Sequence, residues 1–397
     1  MQISDPAAPT GRAWLRLGFR PFFLAAGGYA VISILIWYAA YIHGRSFPFA
    51  GLAPVTWHAH EMVFGYSLAV VAGFLLTAVR NWTGIATLRG MPLLLLFAFW
   101  LCARLFLLVG GPGFLVAAAS FDLLFLAVLS AAIAVPILQT RQWHNAAIVG
   151  KLVLLLASNL VFFLGVSGRL EHGVYWGLYS GLYLIIALIL TISRRVLPFF
   201  IEKGVAYRVE LRNSKAVDIA SMVLFLGFWI ADLAWPNGLG VGLLAAGLFC
   251  LHLWRLLGWY TAGIWAKPLL WVLYLAYAAI IAGFALKLVA CFSDMSPSLA
   301  LHAFAVGGIG LMSLGMMTRV ALGHTGRNVF EPPPLLFWVF VLLCAALVAR
   351  VALPMLLQQH YVLWIATSQW LWLSAFLIYF VRYFPILTRP RIDGQDG

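Results

Sequence analysis

The fold of this chain is decided by residues 57–79, WHAHEMVFGYSLAVVAGFLLTAV, where a short polar cluster opens a long apolar run. The run reaches the roughly 20 residues that one helix needs to cross a bilayer. Histidine and glutamate are costly in hydrocarbon, and proteins retain them there mainly for ligation, proton relay or substrate binding. The stretch therefore predicts a membrane-spanning helix with functional residues, His58, His60 and Glu61, at its start.

The composition of the 397-residue chain repeats this signal throughout. Hydrophobic residues make up 64% of the chain and charged residues 9%, which excludes a soluble protein. The loops between apolar segments are short, so we predict an all-α membrane protein with one polytopic domain over residues 1–397. Its twelve predicted spans lie near residues 22–42, 57–79, 92–110, 114–138, 146–167, 172–193, 216–235, 239–257, 268–290, 298–320, 335–354 and 361–384.

The net charge of +13 is distributed in a way that argues against a nucleic-acid partner. Basic residues collect in alternate loops, whereas the other loops carry little beyond Arg45 and Arg169. Under the positive-inside rule this pattern predicts cytoplasmic termini, in agreement with an even number of spans. The basic loops contain Arg12, Arg16 and Arg20, then Arg80 and Arg89, Arg141, residues 194–215, Arg255 and Lys267, Arg319 and Arg327, and Arg382, Arg389 and Arg391.

A second histidine, His302, opens a later apolar run, and its surroundings match those of His60 at an offset of 242 residues. Several further residues are identical at this same offset, so the match extends beyond the histidines themselves. We therefore predict an internal duplication. The matched pairs include His60 and His302, Gly65 and Gly307, Gly73 and Gly315, Thr83 and Thr325, and Cys102 and Cys344.

The offset relates spans two and three to spans ten and eleven, which suits a four-span unit used three times. The predicted repeats cover residues 13–139, 140–262 and 263–390, and in the faint middle copy only His172 and Gly177 reproduce the histidine–glycine spacing. Three four-helix units are also the architecture of the haem–copper oxidase core, an analogy at the level of fold alone.

The histidines at the predicted outer ends of spans two, six and ten are candidate metal ligands. Residues two apart on a helix project about 200° apart, so His58 and His60 do not bind one metal from the same face. The matched pair His60 and His302 is a candidate for two axial haem ligands, because helix bundles hold cofactors between side chains of facing helices. His58 and His172 could complete a copper or second iron site. The alternative is that these histidines bond only to backbone or lipid headgroups.

Charged residues in the outer halves of the predicted spans form a candidate network. Arg104 and Lys287 are candidates to neutralise haem propionates, and Glu61 is the candidate catalytic residue that relays a proton. The alternative is that the charges pair with one another and snorkel toward the interface. The network comprises Glu61, Arg104, Asp122, Asp232 and Lys287.

The sequence resembles the NnrS family. The resemblance runs from about residue 12 to residue 390 and is carried by residues 20–23, 58–65, 73–84, 268–271 and 301–327. It implies a polytopic protein of the bacterial inner membrane that contains haem and copper and is linked to denitrification and nitric oxide tolerance. Tyr274 departs from the family pattern, in which a histidine commonly follows Pro-Leu-Leu-Trp-x-Leu, so no ligand role carries over to this position.

Together these features lead to one expected function and two alternatives. The expected function is a haem- and metal-binding membrane protein, with a b-type haem and a possible copper, that acts in nitric oxide metabolism or tolerance. Its expected partners are the lipid bilayer, nitric oxide as ligand, and a quinol or cytochrome electron donor if it is an oxidoreductase. The alternatives are a non-enzymatic sensor or buffer of nitric oxide, and a transporter of a small solute or metal with a histidine-lined path.

Overall fold

A computed structural model describes residues 13–395 as a bundle of membrane-length helices, and these residues form no β-strand. Arg12, one of the predicted cytoplasmic charges, lies outside the described residues. Within residues 13–395, twelve helices are long and apolar enough to cross a membrane, which confirms the predicted fold class. They are α1 (Phe19–His43), α2 (Pro54–Thr83), α3 (Met91–Leu108), α4 (Pro112–Gln139), α5 (Trp143–Val166), α6 (Gly173–Gly204), α7 (Lys215–Ala234), α8 (Leu239–Gly258), α9 (Pro268–Ala290), α10 (Pro297–His324), α11 (Leu335–Leu356) and α12 (Gln358–Thr388).

The helix that departs most from its predicted bounds is α6, which continues to Gly204 although the apolar run ends before Arg194. The two arginines at this point do not end the helix, because both find polar partners. Arg194 pairs with Asp218 at 2.5 Å, and Arg195 donates to Asn145 Oδ1 at 2.5 Å. Hydropathy therefore predicts where the apolar part of a helix ends, whereas the helix continues for as long as its backbone hydrogen bonds do.

Proline and glycine set several of the helix ends. α2, α9 and α10 each begin with a proline, whose missing N–H group would be unpaired there in any case. α2 ends at Gly84, which takes the left-handed conformation with φ 70° and donates its N–H to the Arg80 carbonyl.

The centre of the bundle is formed by α2, α9 and α10. Within their most apolar windows, 78%, 72% and 78% of the residues are buried, against 22% in α7 and 33% in α3. Because α3 and α7 leave most of their apolar surface exposed, they are the helices that face lipid. The histidine-bearing helices α2 and α10 are therefore, together with α9, the ones that the other helices enclose.

Three helices change from α-helical to π-helical winding along their length. The π-helical segments are Glu61–Ser67 in α2, Ala303–Leu311 in α10 and Val348–Ala352 in α11. The first two begin one residue after His60 and His302, at matched positions. Such segments are rare and frequently occur at functional sites.

His58, His172 and His302 all lie at the end of the bundle where α2, α6 and α10 begin, which we name the histidine end. That this end faces outward, and that the chain is a threefold repeat, stay predictions.

Candidate functional site

A cavity of about 670 Å³ lies in the bundle near the histidine end. Side chains from α1, α2, α6, α10, α11 and α12 form its wall, most of them aliphatic or aromatic. The three π-helical segments all contribute to this wall, through residues such as Met62, Val306 and Arg350. A cavity of this size, mostly apolar with a few convergent polar groups, is typical of small-molecule and cofactor sites.

His302 is one of those polar groups, and its ring is held in a defined orientation. Its Nδ1 lies 2.7 Å from the carbonyl oxygen of Ser298, one turn earlier in α10. Because a carbonyl oxygen only accepts hydrogen bonds, Nδ1 carries the proton and Nε2 keeps its lone pair. Ligating histidines are usually fixed in this way by a bond from the other ring nitrogen. Nε2 is thus the ring nitrogen of His302 that is left with its lone pair for a ligand.

His58 faces the same cavity from α2. Its ring stacks on Trp37, with centroids 4.6 Å apart and the planes within 5° of parallel. Its Nδ1 is buried without a hydrogen-bond partner among the described residues. The cavity therefore presents two imidazoles from two facing helices.

Arg350 supplies a positive charge on the cavity wall, and our sequence analysis did not identify it. Its Nη2 donates to Ser298 Oγ at 3.2 Å, and its buried Nη1 has no hydrogen-bond partner within the described part of the chain. The signal was present in the sequence, because Arg350 is the one charged residue in the apolar run 335–354.

His60 lies on the other side of α2, fully buried and away from the cavity. Its Nδ1 is 2.9 Å from Glu61 Oε1, and its Nε2 is 3.0 Å from Asn159 Oδ1. The Phe162 ring stacks on it, with centroids 4.4 Å apart. Both ring nitrogens of His60 are engaged by oxygen acceptors, so neither is free for a metal. The structure brings His302 together with His58 rather than with His60.

The remaining bonds of this cluster tie Glu61 and Asp122 to Arg104. Arg104 Nη1 donates to Glu61 Oε1 at 2.8 Å, and Arg104 Nη2 lies 2.5 Å from Asp122 Oδ1. Tyr29 also donates to Glu61, and Asn159 Nδ2 donates to Asp122 Oδ2 at 3.0 Å. The two carboxylates of this cluster thus share the Arg104 guanidinium and further contacts to His60, Tyr29 and Asn159. We name His60, Glu61, Arg104, Asp122, Asn159 and Tyr29 the buried ionic cluster; it joins α1, α2, α3, α4 and α5.

Lys287 belongs to a second, separate cluster. It pairs with Asp232 at 2.7 Å and donates to Asn237 Oδ1 at 3.0 Å, while Tyr183 donates to Asp232 at 2.5 Å. Neither Lys287 nor Arg104 lies on the cavity wall. The predicted single network is thus two clusters, each with its charges paired internally, and Arg350 is the cation at the cavity.

His172 is exposed at the beginning of α6, where its ring contacts Trp176 edge-on at 5.6 Å. It does not line the cavity that holds His58, so these two residues do not form a copper site together. Within residues 13–395, no group of three or more His, Cys, Asp or Glu side chains is arranged to hold a metal ion. Two imidazoles at one cavity instead suit a group such as haem, whose ring supplies the other four metal ligands.

The comparison with known families agrees with this architecture. The family model described as NnrS protein matches residues 13–391, nearly the whole chain. The match includes α1 to α12 and every residue of the cavity and of the two clusters. No curated protein matches the chain. On the family match, the chain belongs to the NnrS family.

Proposed function

We propose that the chain binds a haem between His58 and His302 and uses it to bind nitric oxide within the membrane. The chain is a multi-pass membrane protein of a nitric oxide-related family. The observation that supports the proposal is the placement of two imidazoles from α2 and α10 on one apolar cavity of about 670 Å³. A haem supplies an iron centre that binds small diatomic ligands and can exchange electrons.

The two histidines differ in how firmly they would hold this group. A hydrogen bond from Nδ1 to a carbonyl makes the opposite nitrogen a stronger ligand, and His302 has such a bond to Ser298. His58 is held by stacking on Trp37, and its Nδ1 has no such bond. A haem bound here would therefore be held more firmly by His302 than by His58, and His58 would be the easier of the two for an incoming ligand to replace.

Arg350 is the positively charged side chain on the cavity wall, where it interacts with the Tyr361 hydroxyl as well as with Ser298. Its Nη1 is buried without a partner among the described residues, so an anionic group at the histidine end of the cavity would satisfy it. Ser298 accepts from Arg350 and also accepts from His302, which couples the two groups. Arg104 and Lys287 already have carboxylate partners and are not available for this role.

The proposal is tested by optical spectra and metal analysis of purified wild type and single alanine variants. We expect His302→Ala to lose the haem and His58→Ala to retain part of it with a changed spectrum. His172→Ala, at an exposed position outside the cavity, is the control and keeps the wild-type spectrum. An unchanged haem spectrum in His302→Ala, or wild type that contains no haem, would overturn the proposal.

A kinetic experiment separates an oxidoreductase from a sensor or buffer. Consumption of nitric oxide by the holoprotein in the presence of a reduced quinol or cytochrome identifies an enzyme. Stoichiometric binding without consumption identifies a sensor or buffer. Both outcomes retain the haem site, whereas a purified protein without haem that moves a small solute or metal across vesicles would favour a transporter.

A further inference from the structure

Gln369 of α12 has a buried side-chain amide with no assigned partner. The residue is 7% exposed and lies on the cavity wall. Neither its Nε2 nor its Oε1 has a hydrogen-bond partner among residues 13–395. Buried amides are almost always hydrogen-bonded, so both atoms of this one point to an occupant of the cavity.

Gln369 lies at about the same depth in the bundle as His302, where depth is the distance from the histidine end. Arg350 bonds to Ser298, and His302 is one turn of α10 deeper than Ser298. Ala346 is about one turn, roughly 5 Å, deeper than Arg350, because α11 runs in the opposite direction. Ser368, which precedes Gln369, donates to the Ala346 carbonyl at 2.8 Å.

Ser368, Trp372 and Tyr66, which also line this part of the cavity, are bonded within the described residues. The Ser368 hydroxyl bonds to Ala346, and Trp372 donates its indole N–H to the Ala30 carbonyl at 3.2 Å. Tyr66 shares a hydrogen bond of 2.5 Å with Ser313. Gln369 is thus the residue in this part of the wall whose amide remains available to a ligand.

We infer that the Gln369 amide donates a hydrogen bond to a small uncharged ligand held in the cavity at the level of His302. The ligand class is a diatomic or similarly small molecule with an acceptor atom, because the surrounding wall is apolar and the charge at the cavity is Arg350, one turn nearer the histidine end. The inference rests on the proposed function and adds a residue that selects and retains the ligand.

The test uses the haem-loaded full chain, with carbon monoxide and nitric oxide as the probes. Gln369→Met keeps the length of the side chain but removes the donor. We expect the carbon monoxide stretching frequency to shift upward and nitric oxide to dissociate about 3- to 10-fold faster, the range that one neutral hydrogen bond provides. Gln358→Met is the matched control, since Gln358 is exposed and does not line the cavity.

The measured frequency and dissociation rate either support or overturn the role of Gln369. An unchanged frequency and an unchanged dissociation rate in haem-loaded Gln369→Met would mean that the amide bonds only to structural water, and the inference would be overturned while the haem site stands. Wild type without haem or carbon monoxide binding would overturn both. If Gln369→Met does not fold, Gln369→Asn, which draws the amide back by one methylene, tests the same contact.

Discussion

At the scale of single residues, two histidines separated by one alanine have different environments. His58 lines the cavity, whereas His60 is 0% exposed and bonded on both ring nitrogens. The roughly 200° between positions two apart on a helix predicted that they differ. The sequence match pairs His60 with His302, whereas in the structure His58 is the histidine that lines the same cavity as His302, because a duplicated position can keep its residue and acquire different contacts. The ligand role of His60 was a prediction, and the geometry favours His58.

The buried ionic cluster leads to a prediction about Arg104. Replacing Arg104 with methionine leaves Glu61 and Asp122 as buried carboxylates without their cation. Removing one partner of a buried charge pair costs about 3–5 kcal/mol, so we expect a large loss of stability. Thermal unfolding of the purified protein in detergent measures it, with Arg169→Met at an exposed loop as the control. Equal melting temperatures for both variants would contradict the structural role of Arg104.

At the scale of helices, the described glycine with the least space for a side chain is Gly165, where α5 packs on α6. A Cβ placed on Gly165 would lie 2.2 Å from the Val174 backbone nitrogen, and one on Gly177 would lie 2.6 Å from Phe162. Small residues allow such approach in membrane bundles. The contact matters for the site because α5 carries Asn159 and Phe162, both of which touch His60.

We therefore predict that Gly165→Ala destabilises the protein. The methyl group has no space against the α6 backbone, and overpacking of this kind costs about 1–3 kcal/mol. Gly150→Ala in the same helix is the control, because nothing lies within 4 Å of its added Cβ. That change is expected to be neutral or to stabilise by up to ~1 kcal/mol through helix propensity. Thermal unfolding compares them, and an equal effect of the two substitutions would argue against close packing at Gly165.

At the scale of the whole molecule, the described helices keep the polar residues of the cavity apart from the buried ion pairs. Residues from six different helices meet at the cavity, whereas Arg104, Lys287 and Arg255 pair with carboxylates on other helices. This separation explains how a bundle so apolar contains many buried charges. Paired charges hold helices together, whereas His58, Arg350 and Gln369 keep atoms free for a ligand.

The orientation of the bundle is a further prediction at this scale. In a variant without the four native cysteines, a membrane-impermeant thiol reagent applied to intact cells should label Arg45→Cys and Arg169→Cys, because the positive-inside pattern places these loops outside. The same reagent should label Arg141→Cys only after the cells are broken. The reverse labelling pattern would place the histidine end toward the cytoplasm.

The sequence by itself determined the number of spans, their approximate bounds and the polar residues worth inspecting. These features are local, because hydropathy and helix length act along the chain. Only the tertiary structure decided that His58 and His302 line one cavity, that Arg104 and Lys287 are bound within separate clusters, and that Arg350 and Gln369 lie on the cavity wall. Those relations depend on how helices distant in sequence rotate and pack against one another. The stretch WHAHEM pointed to α2, which lines the cavity, and the packing of α2 decided which of its two histidines reaches the cavity.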